Sequence, residues 1–254
     1  MSFHSPVSAS AADNPSFLPK SMLILSGSSL KLLACVIMLI DHSAAYFIGY
    51  YKFAQVQSIS ILGQSMSLYR LMRDIGRLAF PIYCFLLVEG FEHTGSRLKY
   101  ARNLLLFALI SELPWNLAHG SLHHPSQNVY FTLFFGFMGM FFAELFDLWP
   151  LLQVMSMFAL LLFSARFNAD YSYRGYILIM IMYWLRKHRP AQALIATSWL
   201  HYEWVAGFSF IFINMYNGAR GFIRSKAAKY GFYFFYPAHI FILWLLRRLL
   251  LGLR

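Results

Sequence analysis

The sequence predicts an all-α protein, a polytopic transmembrane helical bundle of about eight to ten spans with at least one broken or short helix. Three observations predict it. Of 254 residues, 59% are hydrophobic. Only 12% are charged, about half the share usual in a soluble domain. The apolar residues also gather in runs near the roughly 20 residues that a membrane-crossing helix needs. So few charges exclude a disordered chain and are too few to cover the surface of a soluble globule.

The elements follow in order. Residues 1–28 read as a flexible cytoplasmic tail, carrying Ser2, Ser5, Ser8, Ser10 and Ser16 among Pro6, Pro15 and Pro19. This segment lacks the basic and apolar regions of a secretory signal. Residues 29–254 read as one transmembrane domain without an internal repeat. Apolar runs place spans near 29–50, 73–91, 104–118, 129–146, 150–167, 176–185 and 230–251. A further run, 191–216, is interrupted by His201, Glu203 and Gly207.

Lys and Arg in short loops set the orientation. Arg97, Lys99 and Arg102 follow the second span, and Arg186, Lys187 and Arg189 follow the sixth. Both loops, and the N-terminus, are therefore expected in the cytoplasm. Arg220, Arg224, Lys226 and Lys229 form the most basic loop, which a simple count of eight spans puts on the other side. If the interrupted run is two short or re-entrant helices, the loop returns to the cytoplasm. Such breaks occur only where they line a cavity or pack in protein.

The 21 Lys and Arg against 10 Asp and Glu leave a net charge of +11. In a membrane chain this excess anchors loops rather than nucleic acid. It also suits an anionic substrate. Cys35 and Cys84 lie inside apolar runs and suggest neither a disulfide nor a metal.

The informative residues are the ionisable ones inside apolar runs, each costly there. Asp41 and His42 end the run KLLACVIMLI, roughly 15 Å along a helix from Lys31. Histidine serves as a base near neutral pH, and a carboxylate orients it or supports its cation. A structural pair between helices is the other reading. Arg70, Arg73 and Arg77 share one helical face, with Asp74 placed to pair with Arg70. Arg70 suits a snorkelling anchor. Arg77 runs directly into LAFPIYCFLLV, and a guanidinium there suits a phosphate, carboxylate or oxyanion. Glu89 with His93, and Glu112 before Pro114, suit polar plugs between helices. Asp170 beside Tyr171 suits either a helix cap or a site. His239 opens the last span. His119, His123 and His124 crowd one loop without a metal-site spacing, so no metal is expected. Phosphate-loop, GxSxG and HExxH signatures are absent.

Several segments, in one order, resemble the TraX family. They are KLLACVIMLIDH at 31–42, GRLAFPIYCFLLVEGFEHT at 76–94, LLLFALISELPWNLAHG at 104–120 and QNVYFTL at 127–133. Asp170-Tyr171 with Gly175, YNGARG at 216–221 and YPAH at 236–239 complete the series. The resemblance implies a polytopic inner-membrane protein related to the acetylase of the pilin used in conjugation. It also implies a distant likeness to membrane acyltransferases that draw on acyl-CoA. By that resemblance, His42 with Asp41 is catalytic, and Arg73 and Arg77 hold the acyl donor or oxyanion. Two departures stand out: Ser172 where the family has Gly, and Arg174 where an aromatic or apolar residue is common.

The expected activity is acetyl transfer from acetyl-CoA to an amine, such as a peptide or pilin N-terminus, or to a hydroxyl. N-acetylation is the favoured form. Arg97, Lys99, Arg220 and Arg224 are expected on the CoA phosphates. Glu89, Glu112, Asn128, Asp170, Tyr171 and His239 are expected to bind substrate. The partners are the lipid bilayer, the CoA thioester and an acceptor peptide, glycan or lipid. The alternatives are a proton-coupled transporter and a non-catalytic partner of a secretion or pilus system.

Overall fold

A computed structural model describes residues 18–61 and 63–252. The first 17 residues of the expected tail lie outside the described residues. Its remainder is tied down near its end: Leu25 donates to Met215 O at 3.0 Å and accepts from Asn217 N–H at 2.9 Å.

Ser26 accepts from Ser29 N–H at 3.2 Å and so starts α1 (Gly27–Tyr46). A 3-10 turn, Ile48–Tyr50, leads to the short α2 (Lys52–Gln55). Next comes a hairpin of β1 (Ile59–Ile61) and β2 (Gln64–Met66), with Ile59 opposite Met66. It corrects the all-α expectation to nearly all-α. Gly63, at φ 78°, makes its turn, a conformation glycine adopts without steric cost.

The expected second span is two helices, α3 (Leu68–Gly76) and α4 (Ala79–Glu92). Pro81 is the cause. It has no N–H to give to Arg77 O, and its ring crowds that carbonyl. After α4 come α5 (Arg97–Ala118), α6 (Val129–Leu145), α7 (Pro150–Phe167) and α8 (Ser172–Trp184). Ser96 caps α5, Asn128 caps α6 and a proline opens α7. The interrupted run becomes α9 (Arg189–Trp199), a 3-10 stretch (Leu200–Phe208) and α10 (Ser209–Asn214). The last helix, α11 (Lys226–Leu251), is capped by Ser225.

The bundle has two distinct ends. At the basic end, Gly27 N–H donates to Ala219 O at 2.8 Å and Ser28 N–H to Arg220 O at 3.0 Å. Arg186 pairs with Glu92 at 3.1 Å, and Arg97 pairs with Glu144. At the other end, Gln127 N–H reaches Asn168 O at 3.0 Å, and Arg247 reaches Ala118 O at 2.9 Å.

The α9–α10 unit reverses on itself. Arg189, at its start, donates to the carbonyl of Tyr216, just past its end, at 3.1 Å. Its middle, Glu203, meets Arg77 at 2.8 Å. At Glu203 the backbone leaves the helical region (φ −134°, ψ 58°), which makes the turn. The loop 217–229 therefore lies at the same end as 93–97 and 185–189. This resolves the charge conflict in favour of the broken helix.

Among the described residues, three helical stretches are long and apolar enough to cross a membrane: Gly27–Tyr50, Pro150–Phe167 and Lys226–Leu251. The expected count of eight to ten spans is not confirmed by this measure, since α4, α6, α8, α9 and α10 are shorter. On α7, Ser164 is the sole buried residue. Leu151 is 75% and Val154 63% exposed there. An outward face that apolar is stable only against lipid or another apolar surface.

The core is made by Phe91, Phe107, Phe137, Met140, Leu178, Ile179 and Ile240, all fully buried. Glycine brings α6 against α8: a Cβ on Gly136 would lie 2.3 Å from Ile179 Cδ1. Small residues give membrane helices this close approach.

Candidate active site

A cavity of about 570 Å³ opens at the end opposite the basic loops. The last turns of α1 supply Asp41, His42 and Tyr46, and α3 with the following kink supplies Arg73 and Arg77. Asp170 and Tyr171 come from the loop between α7 and α8, and Arg247 from α11.

His42 Nδ1 stands 2.6 Å from Nε2 of His239. The two rings are nearly parallel, 9° apart. His239 Nδ1 is in turn 2.6 Å from the carbonyl of Phe235. A carbonyl only accepts, so His239 Nδ1 carries its proton. In the neutral pair, His239 Nε2 is then an acceptor, and His42 Nδ1–H donates to it. The tautomer follows from these heavy-atom positions. His42 Nε2 keeps its lone pair, which is the state a general base needs.

Asp41 makes no hydrogen bond to the imidazole. Its nearest approach to the imidazole is 3.9 Å, from Oδ2 to His42 Nε2, too long for a hydrogen bond. Its Oδ1 instead forms an ion pair with Arg73 Nη1 at 2.8 Å. His239, expected to touch substrate, is the residue that orients His42. Arg77 pairs with Glu203 Oε1 at 2.8 Å. Each arginine has one carboxylate partner, and a guanidinium has five N–H donors. Donors therefore remain for a ligand.

Glycine sets the distance between Asp41 and α3. A Cβ on Gly76 would lie 2.2 Å from Asp41 Oδ1, so only a hydrogen fits there. This explains the Gly76-Arg77 pair physically: the glycine lets α1 close in, and the arginine follows it into the site.

The loop carrying Asp170 and Tyr171 is strained. Asn168, Tyr171 and Ser172 have φ of 56°, 62° and 43°, a region that costs non-glycine residues of order 1–3 kcal/mol each. The loop is held by Asp170 N–H to Gln127 O at 2.8 Å and by Tyr171 N–H to Asp170 Oδ1 at 3.1 Å. Thr132 donates its hydroxyl to Asp170 O. Tyr171 stacks on Phe80, with ring centres 3.6 Å apart. Burial pushes the Asp170 carboxyl up to about 6, opposed by the N–H of Tyr171 and the charge of Arg77. Loss of water disfavours the charged carboxylate.

Seven expected site residues lie elsewhere. Glu112 receives the backbone N–H of Asn128 at 3.1 Å and its side-chain amide as well. Asn128 also donates to Ala108 O and caps α6 through Tyr130 N–H. The two residues join α5 to α6 and do not line the cavity. Glu89 is near the basic end, beside Tyr216 and Arg189. Burial of unsatisfied backbone ends explains the first pair, and a buried arginine explains the third residue. Arg97 is held by Glu144, and Lys99 is exposed. Arg220 and Arg224 are exposed at the basic end. Ser28, which touches Arg220, is thirteen residues before Asp41, or about 20 Å along α1.

Tyr46 and Arg247 also line the cavity. For Arg247 the available signal was a charge on the same helix as His239, inside the apolar run IFILWLLRRLLL. His119 lies at the cavity mouth against His124, with ring centres 4.3 Å apart. His123 is held separately, its N–H on Ser121 Oγ.

The family model described as TraX protein matches residues 26–247. The chain is 27% identical to the probable fimbrial assembly protein FimC, serogroup H1, of Dichelobacter nodosus. That alignment covers 86% of this chain and 94% of the relative. No solved structure matches the chain.

Proposed function

The chain belongs to the TraX family, and from that premise we propose that it is an integral membrane acetyltransferase of a pilus or fimbrial system. The acetyl group moves from acetyl-CoA to an amine, such as a peptide or pilin N-terminus, or to a hydroxyl. The observation that carries this reading is the His42–His239 pair. It leaves His42 Nε2 unprotonated in a polar cavity beside two arginines.

The protein sits in the bacterial inner membrane with its N-terminus and basic end in the cytoplasm. α1, the α3–α4 pair, α5, α6, α7, α8 and α11 cross, and the α9–α10 unit enters and returns. Arg97, Lys99, Arg220 and Arg224 receive the CoA phosphates at the basic end. The pantetheine arm bridges the distance to the cavity. His42 Nε2 takes the proton as the acceptor nitrogen or oxygen attacks the thioester carbonyl. Arg73 and Arg77 stabilise the oxyanion, often the largest contribution in acyl transfer. The C–S bond then breaks, and the proton passes from His42 to the CoA sulfur. Asp41 positions Arg73. The α-amine of a peptide has a pKa near 7.7–8.0, so it needs only modest help from the base.

The test incubates full-length protein in vesicles with acetyl-CoA and membrane extracts from cells lacking the active protein. Peptides, lipids and glycans are then compared by mass spectrometry. Acetylated product with wild type and none with His42→Ala is expected. Acetyl-CoA that is neither bound nor consumed with any acceptor class overturns the reading.

A further inference from the structure

Arg247 is a buried cation that the reaction scheme leaves unused. It is 2% exposed and forms part of the cavity wall. No carboxylate lies within ion-pair distance of it among the described residues. Arg73 and Arg77, the other two arginines of the wall, each have one.

Its donors can be counted. Nη1 gives to Tyr50 Oη at 2.8 Å and to Ala118 O at 2.9 Å. Nη2 gives to Leu117 O at 3.4 Å. All three acceptors are uncharged. A guanidinium has five N–H groups, so among the described residues two are left: Nε–H, which has no partner there, and one on Nη2. These two share an edge of the group, the two-pronged edge that matches a carboxylate or phosphate. The carbonyls of Leu117 and Ala118 bring the negative end of α5, which offsets part of the buried charge. A full counter-charge is still missing, and an isolated buried ion is costly.

We propose that Arg247 is an anion subsite of the cavity, taking a carboxylate or phosphate group of the acceptor. The assignment to the acceptor rests on the transfer reaction proposed above. Distances favour the acceptor over the donor. Lys226, at the basic end, is 21 residues from Arg247 on the same helix, or about 31 Å. Donor phosphates held there cannot also sit on Arg247. His239 is only eight residues away, or about 12 Å along the axis. The acceptor would then carry an oxyanion about that far from the atom that is acetylated.

The experiment follows the melting temperature of purified full-length protein in detergent, without acetyl transfer. It is titrated with sodium acetate and with sodium phosphate against sodium chloride at matched ionic strength. Each titration is repeated at saturating CoA. Wild type is expected to show a saturable upward shift with the oxyanions and none with chloride, unchanged by CoA. Arg247→Gln is expected to lose it. No oxyanion-specific shift in wild type overturns the proposal, as does an undiminished shift in Arg247→Gln. Abolition by CoA overturns the assignment to the acceptor. If Arg247→Gln does not fold, Arg247→Lys decides. It keeps the charge but not the two-pronged edge, so a several-fold weaker midpoint is expected, and an unchanged midpoint overturns the proposal. Failure of acetyl transfer leaves this measurement intact, so the two readings fail separately.

Discussion

His42 Nδ1 and His239 Nε2 lie 2.6 Å apart although 197 residues separate them in the chain. This contact joins α1 to α11 and sets which nitrogen of His42 faces the cavity. It also gives His239 a positioning role, since its own Nδ1 is committed to Phe235 O.

Replacing His42 by Ala is expected to lower kcat for acetyl transfer by about 10²–10⁴-fold, the usual worth of a general base. His239→Ala is expected to lower kcat by at least about tenfold and to leave KM for acetyl-CoA unchanged. Circular dichroism and monodisperse elution establish that both variants fold. Unchanged kcat in His239→Ala would show that His42 is oriented by something else.

Gly76→Ala is expected to destabilise the protein by about 1–3 kcal/mol, the cost of overpacking. The added methyl would overlap Asp41. In an Asp41→Gly background the same change is expected to cost much less, because the side-chain atoms it strikes, Cβ included, are gone. Melting temperatures of the four proteins close this cycle. Equal costs in both backgrounds would place the strain elsewhere.

The Arg77–Glu203 pair ties the turn of the α9–α10 unit to the start of α4. Its side chains are 32% and 19% exposed, so it is worth less than a fully buried pair. Arg77→Ala and Glu203→Ala are expected to be non-additive in stability, with a coupling of about 0.5–3 kcal/mol. Trypsin cleavage after Arg174, whose guanidinium lies over the Tyr202 ring, is expected to accelerate in Glu203→Ala, as the unit loosens. A strictly additive cycle would mean that the pair does not hold the turn.

Asp170 carries a pH signature. Its carboxyl is pushed from 3.8 to about 6 by burial. A raised carboxyl pKa means that the folded state binds its proton more tightly than the unfolded state. The stability this adds is complete below about pH 4 and is lost as pH rises through about 6. Asp170→Asn lacks that change. Its melting temperature relative to wild type is expected to be highest at pH 7–8 and to fall as pH drops from 6 to 4. A difference independent of pH would remove the argument.

Local signals were legible wherever one helix carries its own instructions. The Ser26, Ser96 and Ser225 caps and the Pro150 start are read directly from neighbouring residues. The kink at Arg77 follows from Pro81, and the reversal at Glu203 follows from polar residues in an apolar run. The hairpin 59–66 was not legible, because Ile59-Ser60-Ile61 is too short to show a period.

The sequence by itself determined the solvent this protein folds in, most helix starts and the rare charges that its apolar spans bury. It also singled out Asp41, His42, Arg73 and Arg77, because a charge in an apolar run is expensive wherever the chain goes. Only the tertiary structure decided the partners. Asp41 went closest to Arg73, His239 went to His42, Glu112 went to Asn128, and Arg247 met no carboxylate among the described residues. The physical reason is range. A buried polar atom must find a complement within about 3 Å, and that partner can come from any helix in the bundle, at any distance in sequence.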